Sequence, residues 1–153
     1  MPGGYGSRAL VVDVTDGSSS VLPLPEDVLR AYLGGAGLGT WLLHHLAPPG
    51  VEPLAPEAPL AFVFSPLVGT PLTTSAKFAV VAKSPLTGML TDALASSQFA
   101  ISGKLTGHDA IVVTGRAAEP SVLLVDGGTA RLVAAPEWGL PAAEAEEALK
   151  LRL

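Results

Sequence analysis

The sequence predicts a single domain, residues 1–153, of the α+β class, on three observations. Short Val-rich segments of alternating polarity come in pairs joined by Gly-containing turns, the pattern of antiparallel hairpins. The first two pairs are each followed by a helical stretch and then by a compact apolar run, so the order hairpin, helix, strand occurs twice. The length suits one core, since a chain of this size buries roughly 70% of the surface its unfolded form exposes.

The elements follow in order. Residues 8–14 alternate as a strand, Thr15-Asp16-Gly17 is a turn signal, and residues 19–24 return as a second strand. Pro25-Glu26-Asp27 opens a helix, because proline suits a first turn and acids suit its positive end. The glycines of residues 34–39 are expected to interrupt it, and residues 40–46 to form a second helix closed by Pro48-Pro49-Gly50. Residues 60–64 are an apolar strand. The second half repeats the order: a strand over 78–83, a turn over 84–88, a returning strand over 89–92, a helix over 95–105 and a strand over 110–114. A last hairpin, 121–125 with 129–133, turns at Asp126-Gly127-Gly128, and a helix rich in Ala and Glu fills 141–151. The strands at 60–64 and 110–113 are expected to be buried on both faces. They occupy matching places in what reads as an internal duplication.

Composition excludes several classes of function. The absence of cysteine removes disulfides, thiolate metal sites and cysteine-ligated iron–sulfur clusters from this chain. A net charge of -5 without any run of Lys or Arg leaves no electrostatic footprint for nucleic acid. Residues 31–51 and 58–76 lack charged side chains, but glycines or prolines interrupt both, so neither is expected to span a membrane. The N-terminus lacks the basic and apolar pattern of a signal peptide, which makes the cytoplasm the expected location. Only 15% of residues are charged, against an ordinary ~25%, so part of the surface is expected to be covered by a partner. Absence of Asn, a single Gln98 and 14 prolines fit a thermophile.

Two segments have the chemistry to hold an anion: Gly34-Gly35-Ala36-Gly37-Leu38-Gly39, and Leu94-Ala95-Ser96-Ser97 leading into a helix. Small residues let a phosphate approach free N–H groups at a helix start, and Lys77 offers a counter-charge. The Gly-rich segment does not follow a strand, so it is not a dinucleotide fingerprint, and no Gly-Lys-Ser/Thr makes a Walker motif. His44 and His45 are neighbours about 100° apart on a helix and read as surface histidines. His108-Asp109 reads as a turn or cap before a strand. Glu144, Glu146 and Glu147 read as a solvated helix face. No residue is assigned a catalytic role and none a side-chain metal-ligand role.

A series of motifs in constant order carries a resemblance. It runs from Val12-Asp13-Val14-Thr15-Asp16-Gly17 through Tyr32-Leu33-Gly34-Gly35, Pro53-Leu54-Ala55-Pro56-Glu57 and Ser65-Pro66-Leu67-Val68-Gly69-Thr70. Lys83-Ser84-Pro85-Leu86-Thr87-Gly88, the most specific, follows, and then Gly107-His108-Asp109-Ala110, Thr114-Gly115-Arg116 and Trp138-Gly139-Leu140. Together they resemble the N-terminal domain of the tungsten-containing aldehyde:ferredoxin oxidoreductase family. The resemblance implies two mainly antiparallel sheets forming a saddle, with an internal β-hairpin–α–β duplication. It also implies a tungstopterin (or molybdopterin) cofactor held by its phosphates with magnesium, and electrons passed to ferredoxin. On this pattern Ser75, Ala76 and Lys77 stand where the family has Gly-Gly-Arg, and Leu94, Ala95, Ser96 and Ser97 where it has Asn-Ser-Gly-Gly, so these seven are the candidate cofactor-binding positions. Lys77 keeps the charge but not the bidentate fork of Arg. Ala36 replaces a family Arg. The family domain continues past the acidic helix, so a C-terminally shortened relative is expected, one that supports cofactor without catalysing aldehyde oxidation alone. Its expected partners are a second copy or a cysteine-containing subunit, with ferredoxin engaged only by the full enzyme. The alternative is a non-catalytic structural protein that self-associates through charge-poor faces.

Overall fold

In the computed structural model, which describes residues 4–153, the first hairpin pairs β1 (Arg8–Asp13) with β2 (Ser18–Pro23), in register from Arg8↔Pro23 to Asp13↔Ser18. Its turn forms where predicted: Asp13 Oδ1 accepts from the Thr15 N–H at 2.8 Å, and Gly17 takes a left-handed φ of +75°. Pro25 occupies the N-cap position of α1 (Glu26–Tyr32), whose first turn carries Glu26 and Asp27.

The next helix corrects an expectation. The interruption is confined to Leu33 and Gly34; residues 35–39 are helical, and α2 runs from Gly35 to Leu46. The glycines serve packing. A Cβ on Gly39 would lie 2.4 Å from Val81 Cγ2, and one on Gly37 would lie 2.5 Å from the Tyr32 carbonyl oxygen. The helix therefore lies against the sheet at a distance that larger residues forbid.

The second unit begins with β3 (Leu60–Phe64), β4 (Lys77–Lys83) and β5 (Leu90–Ser96), followed by α3 (Gln98–Leu105) and β6 (Ala110–Thr114). Here Ala95 and Ser96 belong to β5, not to the helix. Pairing along the whole of β4, as far as Lys77↔Ser96, keeps them extended, and α3 starts only after Ser97 accepts a capping bond from the Phe99 N–H at 3.2 Å. The hairpin of β7 (Ser121–Asp126) and β8 (Thr129–Ala134) and the helix α4 (Ala142–Arg152) complete the chain.

Six strands form one sheet in the order β2-β1-β6-β3-β4-β5, and β7–β8 form a second. Every pairing is antiparallel except β1 with β6. β3 and β6, which hold matching places in the repeated order, lie side by side at the centre of the sheet with Phe62 opposite Ile111. One face of the sheet packs Ala61, Val63, Ala79, Val81 and Val112 under Leu29, Leu38 and Leu42 of the helices. The other packs Leu10, Val12, Phe64 and Ile111 against Leu123, Val125 and Ala130 of the second sheet. Burial of β3 is less complete than expected. Leu60 is 36% exposed and Phe62 is half-buried, because the β7–β8 hairpin covers β1 and β6 but does not extend over that end of the sheet. No helix among the described residues is long and apolar enough to cross a membrane.

Candidate functional site

Antiparallel register brings the two halves of the candidate site together. Lys77 opens β4 and Ser96 closes β5 directly opposite it, and the Lys77 ammonium donates to Ser96 Oγ at 2.9 Å. The Ser97 N–H donates to the Ala76 carbonyl oxygen at 3.3 Å, and the Lys77 N–H to that of Ser75 at 2.7 Å. Ser75, Ala76, Lys77, Ser96 and Ser97 thus form one continuous surface at the start of α3. Leu94 lies opposite Ala79, on the same sheet face as Lys77 and Ser96, and is 66% exposed. Ala95 lies opposite Phe78, so its side chain points to the other face.

The Gly-rich segment reaches the same place. The ideal Cβ position of Gly35, the first residue of α2, is 4.0 Å from Ala79 Cβ, so this helix begins above the residue that pairs with Leu94. A helix start leaves its first N–H groups without intrahelical partners and carries partial positive charge. Neither α2 nor α3 has an acid in its first turn to neutralise it. Lys77 takes part in none of the ion pairs among the described residues, and its bond to Ser96 leaves two ammonium hydrogens available. An ammonium, two hydroxyls and two helix starts without a carboxylate make a donor set that fits a phosphate group. No group of three or more His, Asp or Glu side chains among the described residues is placed to hold a metal ion, so a cation here would rely on main-chain and ligand oxygens.

Sequence reasoning missed one feature of the site. Leu33 and Thr74, each one residue before a site segment, have left-handed φ angles of +59° and +61°. Neither residue type signals that conformation, since glycine or asparagine normally fills it. The other singled-out residues lie elsewhere. His44 and His45 are exposed, and His45 stacks on Trp41 with ring centroids 4.7 Å apart. Glu144, Glu146 and Glu147 are exposed as expected, and Glu146 pairs with Lys150. His108 and Asp109 are fully buried, which a simple turn or cap role does not require.

Comparison with known proteins places this geometry in context. The sequence model of a family described as aldehyde ferredoxin oxidoreductase, N-terminal domain, matches residues 9–153. A tungsten-containing aldehyde ferredoxin oxidoreductase of Pyrococcus abyssi is 34% identical over 96% of this chain and 24% of its own length. One from Pyrococcus furiosus is 34% identical over 98% of this chain and 25% of its own. A protein of the same organism described as an aliphatic sulfonate oxidoreductase, WOR-like subunit, is 32% identical over 89% of the chain. Among solved structures, the active site complex BamBC of benzoyl coenzyme A reductase, in complex with 1,5-dienoyl-CoA, superposes with a TM-score of 0.92 and 29% identity over 99% of this chain and 23% of the matched one. The chain thus spans about a quarter of the length of the relatives it matches.

Proposed function

The chain belongs to the aldehyde ferredoxin oxidoreductase N-terminal domain family, and from that premise we propose that it supports a pterin-bound tungsten (or molybdenum) cofactor through its phosphates, as part of a larger oxidoreductase. The observation that carries this reading is the convergence of Lys77, Ser96, Ser97 and the Gly35 end of α2 on one surface, with no acid in the first turn of either helix. In it, Lys77 offsets phosphate charge, Ser96 orients the ammonium, and Ser97, by capping the Phe99 N–H, fixes the first turn of α3. The Leu94 main-chain oxygen is assigned to magnesium. The cofactor, when bound, supplies the two-electron chemistry that takes an aldehyde to a carboxylate; this chain's part is placement and electrostatics.

The iron–sulfur cluster that would carry electrons on to ferredoxin needs cysteines from elsewhere, since this chain has none. A relative described as a subunit and a structural neighbour that is a complex support membership of an assembly. The test is metal analysis of wild type and Lys77→Gln purified from the native host. Tungsten or molybdenum that copurifies with wild type and falls about tenfold in the variant, a loss of ~1.4 kcal/mol, is the expected result. Metal-free wild type overturns the reading.

A second reading, self-association without chemistry, is favoured by one observation. All seven residues of β5 are exposed, with Leu90 at 45% and Leu94 at 66%, and Leu86 and Met89 of the preceding turn are exposed too. An uncovered apolar edge strand is a ready surface for pairing. Sedimentation that finds only monomer at high concentration would reject this reading.

A further inference from the structure

Between α3 and β6 lies a buried polar group that the proposed cofactor site does not use. His108 is 1% exposed. The Thr106 hydroxyl donates to the Gly103 carbonyl oxygen at 2.7 Å, so its lone pair is what faces His108 Nδ1 at 3.2 Å. Nδ1 therefore holds the ring proton, and Nε2 is a bare lone pair, buried and without a partner. The turn of the β7–β8 hairpin sits on the ring: a Cβ on Gly128 would be 3.4 Å from His108 Cε1.

The charged groups around the ring come from each element packed there. Arg8 lies at the start of β1 and donates to the Gly107 carbonyl oxygen at 2.9 Å. Asp109 Oδ1 accepts from the Lys104 ammonium of α3 and from the Gly6 N–H, while its Oδ2 is buried without a partner. The hairpin brings only Gly127 and Gly128 to its tip, and its own charges, Asp126 and Arg131, are exposed. Burial first and Arg8 second hold the imidazole below its ordinary basicity, and Asp109 and the Thr106 backbone oppose them. The hairpin itself is only two strands, marginal in stability without the surface it rests on.

We propose that His108 is an acid-sensitive latch for the β7–β8 hairpin. A proton added at Nε2 finds no acceptor while Gly128 covers the ring, and finds water once the turn lifts. The open state binds the proton more tightly than the closed one. Acidification through the ordinary histidine range therefore favours opening, and neutral pH favours closure.

Hydrogen exchange on this chain, corrected for the intrinsic pH dependence of exchange, tests the latch. From neutral pH to about pH 5, amides of β7 and β8 are expected to lose protection by up to about tenfold per pH unit, while β3 and β4 keep theirs. His108→Gln, neutral at every pH, is expected to remove the dependence. Unchanged hairpin protection, equal loss across the whole sheet, or a wild-type response in the variant would each overturn the proposal. Should the variant fold poorly, the ring resonances of wild type decide. His108 is expected to titrate below the ordinary histidine range, together with the hairpin amides. Titration within that ordinary range, with the hairpin still protected, overturns it.

Discussion

Thr74 holds a φ of +61°, a conformation that costs a β-branched residue roughly 1–2 kcal/mol because Cβ crowds the following carbonyl. Leu33 does the same at the other approach to the site. The strain sits immediately before Ser75 and Gly34, where the chain turns into β4 and α2. Glycine relieves it, so Thr74→Gly is expected to stabilise the fold by about 1 kcal/mol, less the entropy of a freer unfolded chain. Thermal melting checks this: a rise below the roughly 2–4 °C that a full 1 kcal/mol gives a chain of this size is expected. Gly103 is the opposite case. A Cβ there would meet Phe64 Cζ at 2.1 Å, and Phe64 is 1% exposed, so the ring has nowhere to move. Gly103→Ala gains helix propensity but overpacks this contact, and a net loss of about 1–3 kcal/mol in denaturant unfolding is expected.

At the scale of elements, the helix α3 depends on a single cap. Ser97 Oγ accepts from the Phe99 N–H, and Ser97→Ala is expected to cost about 1 kcal/mol and to fray the helix start that faces the proposed phosphate. Exchange of the first α3 amides reads this directly. The helix α4 is held differently. It has no buried residue, and Arg152 near its end grips Glu137 with two bonds, Nε to Oε1 at 2.6 Å and Nη2 to Oε2 at 3.0 Å. The Arg152 hydrogen bond holds the Glu137 carboxyl below the usual carboxylate range. A depressed carboxyl contributes stability above its unfolded value and loses it as pH falls through its folded value. Anchoring of α4 is therefore expected to weaken in mild acid below the ordinary carboxylate range, and Arg152→Gln to remove that dependence in exchange measured across the helix. How far each element could be read from sequence follows the same division. Hairpins announced by Asp-Gly or Gly-Gly were readable because the turn residues dictate the geometry locally. The extent of α2 and the β5–α3 boundary were not. In α2, glycines look like breaks unless one sees Val81 and Tyr32 against them, and Ala95-Ser96 favours a strand only because β4 offers a full-length partner.

At the scale of the whole molecule, the repeat of hairpin, helix and strand was legible, while the parallel β1–β6 pair and the hairpin over the sheet's second face were not. Those depend on contacts about a hundred residues apart, which no local pattern encodes. That residues 75–77 and 94–97 lie together follows from register: whatever aligns β4 with β5 also sets Lys77 beside Ser96. The core assignment offers the sharpest contrast. Val112 is fully buried in the central strand, opposite Ala61 and Val11, with α2 above it. Leu60 is nearly as apolar in sequence but lies at the uncovered end of β3. Val112→Asp would place a carboxylate among Ala and Val side chains with no cation to pair, a loss of about 3–5 kcal/mol against a total stability of about 5–15 kcal/mol. Soluble yield is expected to collapse, whereas Leu60→Asp should keep its charge in water and leave expression and melting near wild type. Equal behaviour of the two variants would mean that the helices do not seal the central strands, and that the surface carrying Lys77, Ser96 and the start of α2 is not held as rigidly as the proposed cofactor placement requires.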